Sequence, residues 1–120
     1  MTDPFLPLAD LPALDAALER SQREPILIFK HSATCGISAQ AHGELVEWHA
    51  QTDAKVPTFL IHVRQHRAVS DEVVERFGLR HESPQVVLVE NGRVRWHGSH
   101  WHVNAREVQR ALDVRTAVPR

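Results

Sequence analysis

At 120 residues the chain is long enough for one domain and one hydrophobic core, and too short for two. Its 42% hydrophobic and 24% charged residues and its net charge of −1 are those of an ordinary globular protein, and they argue against nucleic acid as a partner. Nine histidines are scattered without ligand spacing, which argues against a metal centre, and a single cysteine rules out an intramolecular disulfide.

Residues 10–21 read as a first helix: Asp10 can cap it, Pro12 is tolerated in its first turn, and Leu11, Leu14 and Leu18 share a face. Pro25-Ile26-Leu27-Ile28-Phe29 is a short, continuously apolar run, the mark of a strand buried on both faces. A loop of Lys30 to Thr34 follows, then a helix over about 35–50 whose buried stripe is expected to be Ile37, Ala41, Leu45 and Trp48. Residues 56–63 form a second strand, with Pro57 suited to its beginning or to an edge. Ser70-Asp71-Glu72 reads as the cap and acidic first turn of a third helix, with Val73, Val74 and Phe77 apolar and Gly78 ending it. Residues 85–90 and 93–97 flank Asn91-Gly92, the strongest two-residue hairpin signal, and Val94 and Trp96 are expected to share the core face of the second strand. A last helix begins at Asn104 and packs through Val108, Ala111 and Leu112, and the tail after Arg115 is expected to fray.

No repeat or linker divides the chain, so residues 1–120 are expected to form a single domain with an ordered core of about 10–115. After the first helix the order is β-α-β-α-β-β-α, the order of the thioredoxin core. It predicts a four-stranded mixed sheet with its first two strands parallel and helices on both faces. The start of the chain lacks the basic and apolar blocks of a signal peptide, and no apolar run reaches membrane-span length. The expected compartment is therefore the cytoplasm, with no membrane partner and a monomeric state.

Cys35 falls where the buried strand gives way to a helix. Free N–H groups of the first turn and the positive end of the helix dipole favour a thiolate there, and the thiolate is the nucleophile in disulfide exchange. The local pattern Thr34-Cys35-Gly36-Ile37-Ser38 places a serine where dithiol thioredoxins carry the resolving cysteine. Serine cannot expel a bound thiol, so any disulfide at Cys35 must be made with, and resolved by, a second molecule. Ser83-Pro84 stands directly before the hairpin, where this fold places a cis-proline that faces the cysteine and offers backbone groups to a bound peptide or thiol. His97 and His100 lie near the loop into the last helix, at the cysteine end of the sheet, as contacts for an anionic ligand or as ordinary surface histidines.

On three segments, Thr34-Cys35-Gly36-Ile37-Ser38, Arg80-His81-Glu82-Ser83-Pro84-Gln85 and Trp96-His97-Gly98-Ser99-His100-Trp101, the chain resembles the YtxJ-type monothiol bacilliredoxins, thioredoxin-like proteins of bacteria that use bacillithiol. The resemblance spans roughly residues 10–113. It implies reduction of protein–bacillithiol mixed disulfides, with Cys35 as nucleophile, Ser83-Pro84 as the substrate-facing loop, bacillithiol as co-substrate and no tightly bound cofactor. Bacillithiolated proteins and a low-molecular-weight thiol are then the partners. Because bacillithiol carries a malate, its anionic end should seek cations, and Lys30, His31, Arg80 and His81 are expected near the two active-site segments. The family commonly has proline where this chain has Gly36. That glycine also makes the tetrad similar to the Cys-Gly-Phe-Ser of monothiol glutaredoxins, which suggests an iron–sulfur cluster module as the alternative, although the paired glycines of those proteins after the hairpin are missing. A third reading is a non-catalytic thioredoxin-like adaptor in which Cys35 is incidental.

Overall fold

The computed structural model describes residues 3–117. Its elements run β1 (Leu6–Pro7), α1 (Leu11–Arg20), β2 (Ile26–His31), α2 (Gly36–Gln51), β3 (Thr58–His62), α3 (Arg67–Phe77), β4 (Gln85–Glu90), β5 (Arg93–Ser99), a 3-10 turn (His100–His102) and α4 (Ala105–Ala117). The sheet has five strands in the order β1-β3-β2-β4-β5, not four. The extra strand is the two-residue β1, parallel to β3 at its outer edge and too short to leave a periodic signal in the sequence. Strands β2 and β3 are parallel, as expected, and β2-β4 and β4-β5 are antiparallel.

All six residues of β2 are buried. Its side chains alternate between two cores, because successive strand residues face opposite sides. Leu27 and Phe29 join Leu60, Val86 and Leu88 beneath Ala41, Leu45 and Trp48 of α2 and Val108 and Leu112 of α4. Ile26 and Ile28 join Phe59, Ile61 and Val87 beneath Leu14 and Ala17 of α1 and Val69 and Val73 of α3. The helices therefore cover both faces in pairs, α2 with α4 and α1 with α3.

The helix starts obey the capping rules unevenly. Asp10 caps α1 by accepting from the Ala13 N–H at 2.9 Å, and Asn104 caps α4 by accepting from the Glu107 N–H at 2.8 Å. Helix α3, in contrast, begins one turn before the expected Ser70, at Arg67 with His66 as its uncapped start. Ser70 is completely buried inside it. Gly78 closes α3 in the left-handed conformation at φ +65°, and Asn91 and Gly92 both have positive φ in the tight hairpin turn.

Three expectations about the core are corrected. Leu11 is 41% exposed, and Ala17 completes the buried stripe of α1 beside Leu14. On α2, Ser38 takes the place expected of Ile37, which is only half-buried. Val94 and Trp96 face opposite cores rather than sharing one: Trp96 pairs with Leu88 and packs on the α2/α4 side, while Val94 pairs with Val89 and packs on the α1/α3 side. The cause is a bulge between Leu88 and Val89, across from which Arg95 is an extra residue that inverts the facing of everything before it. Fraying of the last residues, 118–120, lies outside the described residues, and α4 continues past Arg115 to Ala117.

Gly98, on β5, passes directly under the Trp96 ring. A Cβ there would lie 2.9 Å from Trp96 Cζ2 and 3.2 Å from the His102 carbonyl oxygen. Gly98→Ala should destabilise the fold by about 1–3 kcal/mol through overpacking. Urea denaturation should show a lower midpoint at unchanged slope.

Candidate active site

Cys35 is the N-cap residue of α2, with extended backbone (φ −102°, ψ 122°) and a partly exposed side chain. Its N–H donates to the Ser32 carbonyl at 3.1 Å, and its own carbonyl accepts the Ala39 N–H at 2.9 Å. The sulfur-bearing residue is thus held between a turn and the first helical hydrogen bond, four positions beyond the end of the central strand. Thr34 and Gly36 on either side are exposed. A Cβ on Gly36 would meet nothing within 4 Å, so packing does not account for glycine where the resemblance leads one to expect proline.

Ser38 is completely buried and turned away from solvent. Its Oγ accepts the Ser32 N–H at 3.0 Å and lies 2.7 Å from His31 Nδ1. His31 is neutral at pH 7: its pKa is pushed down to about 4, first by burial and then by the neighbouring His42 and His62. The Ser38 hydroxyl is thus shared between the Ser32 N–H, which donates to it, and the neutral His31 ring nitrogen. The residue in the resolving position is therefore consumed in a structural bond that ties the first turn of α2 to the end of β2. His31 itself stacks on His42 with ring centroids 4.8 Å apart, and His42 Nε2 lies 2.7 Å from Asp3 Oδ2.

The Ser83-Pro84 bond is cis. Because Lys30 pairs with Gln85 across β2 and β4, Pro84 stands at the same sheet edge from which the Cys35 loop departs. His100 is tied to this loop twice, by its N–H donating to the Pro84 carbonyl at 2.9 Å and by its Nε2 lying 3.3 Å from Glu82 Oε1. It holds a positive φ of 54°, unusual for a residue other than glycine. Across from it, Ile37, Ala41 and Glu44 of α2 meet His100, Trp101 and Val103 around a cavity of about 160 Å³, and Trp101 is 69% exposed. Ile37, of the active-site segment, and His100, expected as a ligand contact, thus line one groove.

The expected cation set is rearranged. Lys30 and His31 are not in a loop: they are the last two residues of β2 and both are buried. Lys30 Nζ donates to the Ser70 carbonyl at 3.3 Å and to His81 Nδ1 at 2.9 Å, and burial lowers its pKa to about 8 against the opposing pull of Asp71. It therefore braces His81 from behind and is not itself open to a ligand. His81 lines a cavity shared with Val63, Arg64 and Arg67. Arg64 Nη1 donates to Thr34 Oγ1 at 3.1 Å, next to Cys35. Neither arginine carries a motif, and Arg67 falls in a stretch that reads as a connection before Ser70, so sequence reasoning missed both. Among the described residues no group of three histidine, cysteine or acidic side chains could hold a metal ion.

Two measurements probe this hydrogen-bonded frame. Ser38→Ala leaves the His31 ring nitrogen and the Ser32 N–H without their shared partner and should cost about 1–3 kcal/mol in urea denaturation. For His31, the unfolded chain takes up a proton near the ordinary pKa of 6.5 while the folded chain resists until about 4. The unfolded state then binds more protons across that window, so stability falls as pH drops from about 6.5 to about 4. Unfolding curves across that window should show the loss, and His31→Gln should flatten it relative to wild type.

Comparisons with known proteins bear on the family and the fold. The family model described as Monothiol bacilliredoxin BrxC matches residues 7–108. A solved protein with a thioredoxin fold superposes with a TM-score of 0.82 at 26% identity, covering 91% of this chain and 94% of its own. Thioredoxin from Trypanosoma brucei brucei superposes with a TM-score of 0.77 at 8% identity, covering 98% and 96%. A mutant thioredoxin from Halobacterium salinarum gives 0.74 at 16% identity, covering 100% and 99%. The last two are similar in fold alone.

Proposed function

The chain belongs to the monothiol bacilliredoxin BrxC family, with a thioredoxin fold and the thiol redox chemistry that goes with it, and from that premise we propose that it reduces protein–bacillithiol mixed disulfides through Cys35. The observation that carries the reading is the pairing of one partly exposed cysteine at a helix start with a buried Ser38 whose hydroxyl is already bonded to His31. Such a site can accept a thiol and has no internal group to expel it.

In the first step the Cys35 thiolate attacks the bacillithiol sulfur of the mixed disulfide. A new Cys35–bacillithiol disulfide forms, the old bond breaks, and the released protein thiolate takes a proton from water. In the second step an external thiol attacks the bacillithiol sulfur of the adduct, freeing Cys35 as thiolate and carrying the bacillithiol away as a low-molecular-weight disulfide. Two electrons pass from the external thiols to the substrate, and no bound cofactor is required. The backbone beside cis-Pro84 and the groove between Ile37 and His100 are the surfaces that would seat the protein partner. This reading takes the protein as a monomer working in the reducing cytoplasm. Among the described residues no helix is long and apolar enough to cross a membrane.

Incubation with a bacillithiolated protein should add one bacillithiol to Cys35 by mass spectrometry and release the substrate thiol. Turnover should require added reducing thiol. Cys35→Ser should abolish both steps, and retention of full activity by that variant would refute the mechanism.

A further inference from the structure

Several arginines of this protein are neutralised by carboxylates: Arg20 by Glu24, Arg76 by Asp15 and Glu72, and Arg95 by Glu90. The loop from β3 into α3 is different. Arg64, Arg67 and His81, with Val63 beside them, line a cavity of about 210 Å³, and neither guanidinium makes an ion pair among the described residues. Arg67 is the first residue of α3, so the free N–H groups of that first turn add to the positive potential. Arg64 also reaches Thr34 Oγ1 at 3.1 Å, which joins this cavity to the residue preceding Cys35.

The third wall is oriented from behind. An ammonium group only donates, so Lys30 Nζ at 2.9 Å requires His81 Nδ1 to accept. In the neutral ring the proton is then on Nε2, which leaves that N–H as the donor available to a bound group. Burial and then the Lys30 charge hold the His81 pKa below its ordinary value, partly offset by Asp71, with Arg67 lowering it further and Glu82 opposing. Two guanidinium forks and one N–H around a small cavity suit carboxylate oxygens.

We infer that the cavity of Arg64, Arg67 and His81 is the subsite that holds the carboxylate-bearing end of the low-molecular-weight thiol while its sulfur is joined to Cys35. This deepens, and rests on, the monothiol exchange reading, in which bacillithiol supplies the malyl carboxylates. Arg67 and Arg64 take the carboxylates, His81 donates one further hydrogen bond, and Lys30 acts as the positioning residue for His81.

The test measures the rate of Cys35 adduct formation with three disulfides: bacillithiol disulfide, glutathione disulfide and the uncharged hydroxyethyl disulfide. The intact chain is compared with Arg67→Gln, which leaves the Arg64–Thr34 bond in place, and with Arg67→Lys. The ratio of the bacillithiol rate to the hydroxyethyl rate should fall about tenfold in Arg67→Gln and recover in part in Arg67→Lys, as expected for loss of one charge-assisted contact. Raising the salt concentration should shrink the wild-type ratio in the same direction. An unchanged ratio, or both rates falling together, overturns the subsite. A wild-type preference for glutathione disulfide that Arg67→Gln removes supports a carboxylate subsite and overturns only the bacillithiol assignment. Equal wild-type rates with all three disulfides overturn the subsite while leaving monothiol exchange at Cys35 intact.

Discussion

Strand β2 is buried on both faces from its first residue to its last, and the arrangement of the protein follows from that burial. An apolar strand of this kind cannot lie at an edge or face water on one side, so β3 and β4 flank it and helices close over both faces. The chain leaving its end emerges at the middle of one sheet edge. Cys35 is there because β2 is central, four residues beyond the last strand position, and the cis-Ser83-Pro84 bond that leads into β4 is there because β4 pairs antiparallel with β2.

Burial continues past the apolar run into two polar residues, and that is what builds the site. A buried ammonium and a buried imidazole are costly unless each finds hydrogen-bonding partners. Lys30 finds His81 and the Ser70 carbonyl, and His31 finds Ser38. Each pairing fastens a different wall to the same strand end: Ser38 fixes the first turn of α2 that carries Cys35 at its cap, and His81 belongs to the segment that leads to Pro84. The chemistry open to the site follows from this fastening. A free serine hydroxyl beside Cys35 could polarise the sulfur or its ligand, whereas this one is committed to the ring of a histidine whose burial keeps it neutral.

Much of this was legible in the sequence because it is local. The apolar run of 26–29, the Asp10 and Asn104 caps, Asn91-Gly92 and Gly78 each act over a few residues, and their elements appear where those residues require. Cys35 at the start of α2 and the cis bond at Pro84 were likewise readable from their positions in the element order. The errors fell where a local rule met a distant neighbour. Ser70 has the chemistry of a cap but lies inside α3, buried, where its carbonyl accepts from Lys30, forty positions earlier. Val94 and Trp96 keep the strand alternation in sequence but not in space, because the bulge at Leu88/Val89 inserts Arg95 between them.

The sequence by itself determined the order of elements, the thioredoxin-type core, the single cysteine and its place at a helix start, since hydrophobic period and turn chemistry are properties of neighbouring residues. Only the tertiary structure decided which polar groups are dry and what they hold. Lys30 and His81 are 51 positions apart, and Arg64 and Thr34 are 30 apart. Nothing in either local pattern distinguishes a solvated cation from a buried brace or a cavity wall. Desolvation is set by what the rest of the chain packs above a side chain, so the cationic cavity beside Cys35 exists only once β2, α3 and the segment before Pro84 have come together.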